Sequence, residues 1–159
     1  MLRLSTKGEY GVRAMFEIAK SHPKPLTIKE ISEKQNLSIP YLEQILNKLR
    51  KAALIESKKG PGGGYILNKN PEDISILEIL KELEGPIALT SCLNPSEGCV
   101  RVNRCVTHLL WKTLGQQISE LLNTVTLKNL LALDYYGISQ RKALNSKKAP
   151  NVLNKKYKV

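Results

Sequence analysis

Nowhere in the 159 residues does an apolar run approach the roughly 20 side chains that a bilayer-spanning helix requires, although 42% of the chain is hydrophobic. The N-terminus also lacks the apolar stretch of a secretory signal. These absences lead to the expectation of a soluble, cytoplasmic chain with no membrane partner. Cysteine is scarce: there are three, all within fourteen residues of one another. An odd, clustered count does not suit a disulfide framework, and a set of metal ligands is the first alternative. Outside that cluster no nucleophile–base pair and no carboxylate dyad appears, which argues against an enzyme. No internal repeat is present.

Charge is abundant but uneven. Residues 1–70 carry 13 basic against 6 acidic side chains, residues 71–137 carry 5 against 8, and residues 138–159 carry 7 bases and no acid. This pattern fits a basic module that faces a polyanion, a near-neutral middle that packs or dimerises, and a basic, disordered tail. The tail is either a solvated segment or an arm that touches nucleic acid. A chain of this length supports one domain with an appended dimerisation element.

The helix signals come in order. Thr6-Lys7-Gly8-Glu9 reads as a capping box opening a helix that runs to about Lys20, before Pro23 and Pro25. Its inward positions are Val12, Met15, Ile18 and Ala19. A second box, Thr27-Ile28-Lys29-Glu30, opens a short helix that carries Ile28 and Ile31 inward and fades near Gln35. After a break of a few residues, Ser38 is placed as an N-cap and Pro40 in the first turn. Leu42, Ile45, Leu46 and Leu49 then form a stripe at i, i+3, i+4, i+7. Two helices joined by a tight turn make a helix-turn-helix. The stretches 54–59 and 65–67 flank Gly60-Pro61-Gly62-Gly63-Gly64 and read as a β-hairpin, the wing of a winged helix. Ser75-Ile76-Leu77-Glu78 opens another helix, which Gly85-Pro86 ends. A loop over 87–104 leads into a long helix from about Cys105 to Leu122.

The expected fold is therefore mainly α with a small β-wing. Its parts are a winged helix-turn-helix domain over 1–84, a ligand-binding loop over 85–104, a dimerisation helix and following helix over 105–137, and the basic tail over 138–159. In the long helix Val106, Leu110, Leu114, Ile118 and Leu121 form a stripe that seals against a second copy of the chain or packs back on the wing domain.

With the stripe of the second helix of the motif turned inward, Tyr41, Gln44 and Lys48 share the outer face, with Ser38 and Pro40 at its leading end. That end of a recognition helix reaches base edges in the major groove of double-stranded DNA and favours phosphate. Gln44 suits a bidentate contact to adenine, and Ser38 and Tyr41 suit phosphate or base edges. Glu43 either accepts from a cytosine amine and filters sequences, or is an exposed residue paired with a nearby lysine. Lys58 and Lys59 meet phosphates or a narrow minor groove, and Gly60, Pro61, Gly62 and Gly63 let backbone approach closely. A nucleotide-binding P-loop is excluded, since this glycine run leads into a strand and not into Gly-Lys-Ser/Thr and a helix. His22, between Ser21 and Pro23, reads as a solvent-exposed loop residue.

Cys92, Cys99, Cys105 and His108 are separated by six, five and two residues. Thiolates with an imidazole suit zinc, or an iron–sulfur centre in which histidine replaces one cysteine. Cys105 and His108, three apart at a helix start, point to one side, and Arg101 and Arg104 stabilise nearby thiolates.

The runs Leu4–Tyr10, Ser38–Gln44 and Lys59–Tyr65, together with the Cys/His cluster, resemble the iron–sulfur cluster regulators of the Rrf2 family of bacterial transcription factors, over nearly all of residues 1–133. The resemblance implies a homodimer on palindromic promoter DNA. It also implies a [2Fe-2S] cluster on Cys92, Cys99, Cys105 and His108, whose occupancy changes which promoters are bound. Ser38, Tyr41, Glu43 and Gln44 fall in the family's DNA-reading helix, and iron–sulfur assembly proteins are the implied cluster donors. The first cysteine gap is six residues where the family more usually has five. Two other readings stand beside this one: a regulator with a structural zinc site or cluster-free thiol sensing, and an electron carrier that leaves the helix-turn-helix unexplained.

Overall fold

The computed structural model describes residues 4–94 and 104–145. The first helix, α1 (Thr6–Ser21), is the hub: α2 (Ile28–Gln35), α3 (Ile39–Lys51), α4 (Ile76–Glu84), the second wing strand and the last helix all pack on it. Met15 and Ile18 are fully buried, and Ala14 and Ala19 complete the inner face, with Val12 half-buried beside them. α1 starts one residue earlier than Thr6-Lys7-Gly8-Glu9 suggests. Ser5 is the N-cap, and its hydroxyl accepts from the amides of Lys7 and Gly8. The chain folds so that Glu84, the last residue of α4, reaches the same end. Its Oε1 accepts from the Gly8 amide at 2.8 Å and from the Ser5 hydroxyl. That close approach explains two glycines, because a Cβ at Gly11 would stand 1.9 Å from Leu83 Cδ1 and one at Gly8 2.7 Å from Glu84 Oε1.

α2 opens with the expected reciprocal box between Thr27 and Glu30 and ends at Asn36, whose φ of 52° turns the chain into the next helix. Ser38 stands at the N-cap of α3 but its hydroxyl makes no cap bond; Pro40 lies in the first turn. Leu42, Ile45, Leu46 and Leu49 are all fully buried, as their spacing requires. Strands β1 (Ile55–Lys58) and β2 (Gly64–Leu67) pair antiparallel with Ile55 opposite Leu67 and Lys58 opposite Gly64. Leu26 extends this ribbon by bonding both ways with Tyr65, at 3.0 and 2.8 Å. Ser75 caps α4 through the Glu78 amide, while the Glu78 carboxylate turns to Lys69 at 2.8 Å instead of closing a box.

Beyond α4, a short 3-10 turn, Ser91–Leu93, packs against α5 (Val106–Thr124). The chain then reverses into α6 (Leu127–Asn145), which returns to α1. The reversal is tied down by amide bonds from Ile76 to the Val125 carbonyl and from Leu127 to the Ile74 carbonyl, and Leu127 is fully buried. α6 stays helical eight residues into the segment that sequence assigns to the basic tail; residues 146–159 lie outside the described residues. Among the described residues, no helix is long and apolar enough to cross a membrane. His22 departs from expectation. It caps the C-terminus of α1, is half-buried, and its Nδ1 is buried without a partner among the described residues.

Candidate nucleic-acid interface and sensor loop

The outer side of α3 carries what its buried stripe leaves over. Ser38, Pro40, Glu43, Gln44 and Lys48 are exposed. Tyr41 is only half-exposed because its ring meets that of Tyr10 edge-on, centroids 5.9 Å apart, with the Arg13 guanidinium 5.3 Å from the Tyr10 centroid. Tyr41 is therefore partly a packing residue, held in place by α1. Glu43 makes no ion pair among the described residues. Arg13 also reaches α2, donating from Nη2 to the Gln35 carbonyl at 2.6 Å and from Nε to Gln35 Oε1 at 2.8 Å. Gln35 in turn donates to the buried Glu17 at 2.6 Å. This chain of bonds locks the first helix of the motif to α1, and so fixes the platform from which α3 projects.

Sequence reasoning missed Lys7. It lies in the first turn of α1 beside Lys48 of α3, and the contact with the Lys48 amine, then partial burial, then the repulsion of the Lys48 charge hold its ammonium below the ordinary lysine value. Glu84 opposes this in part. Two adjacent cations at the start of one helix and on the outer face of another make a place where an anion relieves repulsion. The sequence signal available was the charge itself, inside the run Leu4–Tyr10, but only the crossing of α1 and α3 brings it to Lys48.

In the wing, Lys58, Lys59, Gly60, Pro61 and Gly62 are exposed. The tight turn closes with the Gly63 amide donating to the Gly60 carbonyl at 2.9 Å, and Gly60 and Gly62 hold φ of 94° and 73° with open space around them. Gly63 and Gly64 are glycines for a different reason: a Cβ would meet the Lys58 carbonyl at 2.3 Å and the Leu26 carbonyl at 2.5 Å. Half of the run thus serves the hairpin's own backbone rather than an approaching ligand.

Of the four candidate ligands, Cys92, Cys105 and His108 are described; Cys99 and Arg101 lie outside the described residues. Cys92 is half-buried in the 3-10 turn that packs on α5. Cys105 is the N-cap of α5 and His108 sits in its first turn. Cys105 and His108 thus share the start of α5, and Cys92 lies in a turn that packs on the same helix, but among the described residues no three His, Cys, Asp or Glu side chains close on a metal position. The donor chemistry nonetheless fits a thiolate–imidazole centre. His108 Nδ1 is buried with no hydrogen-bond partner among the described residues, a state that costs about 1–3 kcal/mol unless something binds it. Arg104 is exposed beside them.

α5 itself has two sides. Gly115 is buried, with Ile87 and Leu89 so placed that an added Cβ would meet them at 3.8 and 3.9 Å, an ordinary contact, and Ile118 is half-buried. On the other side Val106, Leu110, Leu114 and Leu121 are 84%, 57%, 37% and 60% exposed.

Residues 4–133 match the Rrf2 family, described as iron-dependent transcriptional regulators. The chain is 41% identical over 131 residues to the HTH-type transcriptional regulator IscR of Erwinia tasmaniensis, covering 82% of this chain and 79% of that protein. Among solved structures it is similar to the IscR of T. potens, with a TM-score of 0.69 and 36% identity over 94% of each chain. It is also similar to CymR, the global cysteine regulator of B. subtilis, with a TM-score of 0.73 and 36% identity over 84% of this chain and 98% of that one.

Proposed function

Since this chain belongs to the Rrf2 family of transcriptional regulators, and so is a DNA-binding regulator and not an enzyme, we propose that it senses iron–sulfur or redox status and sets the activity of promoters for iron–sulfur assembly or stress genes. It acts as a cytoplasmic homodimer on palindromic double-stranded promoter DNA. The observation that carries the DNA part is the split of α3 into a fully buried stripe and an exposed face. On that face Gln44 reads adenine, Glu43 filters against wrong bases, and Ser38, whose hydroxyl makes no cap bond, joins Tyr41 in holding the backbone or a base edge. Pro40 sets the helix start. Lys7, Lys48, Lys58 and Lys59 neutralise phosphates, and Gly60, Pro61 and Gly62 let the wing lie against the minor groove, with Gly63 keeping the hairpin turn tight beneath them.

Cys92, Cys99, Cys105 and His108 would hold the [2Fe-2S] cluster, donated by iron–sulfur assembly proteins. When bound, such a cluster supplies a centre that responds to electrons and to iron–sulfur supply. With those side chains engaged, the 92–108 loop is fastened to the first turn of α5. The exposed stripe of α5 is the surface that meets the second copy, and the spacing of the two α3 helices depends on how α5 is set. Loss of the ligand set frees the loop and changes promoter preference.

An anaerobic absorption spectrum with iron, sulfide and zinc analysis, followed by promoter binding before and after chelation, tests this. Visible absorption, equimolar iron and sulfide, and promoter choice that shifts on chelation are the expected results. A colourless protein holding zinc, and still colourless after reconstitution with iron and sulfide, overturns the cluster and leaves a regulator with a structural zinc site.

A further inference from the structure

Each described cysteine has a threonine hydroxyl on its sulfur. Thr90 Oγ1 lies 3.1 Å from Cys92 Sγ, and Thr107 Oγ1 lies 3.1 Å from Cys105 Sγ. Thr90 stands at the N-cap of the turn Ser91–Leu93, where a threonine hydroxyl ordinarily accepts from a free backbone amide, yet it makes no cap bond. Its hydroxyl is turned to the sulfur instead. On the other side of the loop, Cys105 occupies the N-cap of α5 without a side-chain cap bond, and Thr107, two residues on, meets its sulfur. The same pairing occurs at both ends of the loop, built from different local structure.

We infer that Thr90 and Thr107 tune the group held by Cys92 and Cys105, by donating hydroxyl hydrogen bonds to the two ligating sulfurs and so raising its reduction potential. The inference rests on the cluster reading above. A free thiol can give or accept the bond, but a ligating sulfur has lost its proton, so only the hydroxyl can donate and the bond becomes charge-assisted. One-electron reduction places further negative charge on the sulfurs, and a donor aimed at them stabilises the reduced form more than the oxidised one. The two bonds are unequal. The Thr90–Cys92 pair is partly buried, whereas the Thr107–Cys105 pair is exposed, where water replaces a lost hydroxyl.

The test is an anaerobic potentiometric titration with dithionite of reconstituted full-length protein, comparing the wild type with Thr90→Val, Thr107→Val and Thr90→Ser. The midpoint should move to more negative values in Thr90→Val, move less in the same direction in Thr107→Val, and stay at the wild-type value in Thr90→Ser. Unchanged midpoints in both valine variants at wild-type iron and sulfide content overturn the inference and leave the sensor reading intact. A wild-type protein that takes up no iron and sulfide overturns both. If Thr90→Val does not load, Thr90→Ala takes its place, and an unshifted midpoint there overturns the inference.

Discussion

At the scale of single residues, the glycines separate into those held by packing and those held by backbone angle. Gly11→Ala forces a methyl into Leu83 and pushes α4 from α1. It should cost about 1–3 kcal/mol, measured by urea unfolding. Gly60→Ala meets no atom within 4 Å and carries only the penalty of its positive φ, roughly 1 kcal/mol by the same measurement. Lys7 makes a sharper case. Its depressed ammonium means that the unfolded chain binds that proton more tightly than the folded one, so stability rises as pH climbs from the depressed value to the ordinary one. At neutral pH the repulsion with Lys48 is fully present. Lys7→Gln should therefore raise the protein's melting temperature slightly while weakening promoter binding, with the slope of log affinity against log salt falling by about 0.9. A variant with an unchanged slope removes Lys7 from the phosphate contacts. Gln44→Ala should instead cost about 1–3 kcal/mol on the cognate site only, and leave the salt slope alone, in titrations of paired operator fragments.

At the scale of elements, helix ends hold the fold together. Thr27 and Glu30 close a local box that any reader of the sequence finds, and Thr27→Ala should lower stability by about 1 kcal/mol. The start of α1 is different, because half of its cap comes from Glu84, which is 76 residues away from Gly8. No local pattern announces that bond. It also places a carboxylate of α4, one residue before the ligand loop, against the helix that carries Lys7. Lys128 bonds Glu72 and ties α6 to the 3-10 turn Pro71–Asp73. The Lys128 ammonium holds the Glu72 carboxyl below its usual range, so this tie is present above the ordinary carboxylate value and is lost as pH falls through the depressed one. Amide exchange at the start of α6 should accelerate in acid, and less so in Lys128→Gln, where the tie is already absent.

At the scale of the whole molecule, the exposed leucines of α5 are the open question that a second copy answers. Four large side chains along one helix face remain in water, and apolar area is worth roughly 25 cal/mol per Å² when buried. Leu110→Glu with Leu114→Glu should give a monomer by light scattering and lose cooperative binding to a palindrome, while the wing domain keeps its melting transition. A double variant that stays dimeric moves the interface elsewhere. Charge works at the same scale: residues 1–70, which form α1, α2, α3 and the wing, carry a basic surplus, and residues 71–137 an acidic one.

What the sequence by itself determined rests on short-period patterns. The 3.6-residue stripe of α3, the box at Thr27 and the glycine turn of the hairpin follow from neighbours within about seven residues, and these appear where the pattern puts them. The exposed face of α3 follows in turn, since burying one face of a helix leaves the opposite one outside. Tertiary structure decided what depends on contacts between distant segments. It shifted the first cap from Thr6 to Ser5 because Glu84 reaches that end, turned Tyr41 partly inward on Tyr10, and set Lys7 against Lys48. It split the glycine run into two purposes and half-buried His22. It also carried α6 to Asn145, through residues whose bases alone suggested a tail. Those outcomes turn on which surfaces meet when helices cross, and a crossing leaves no local periodicity in the chain.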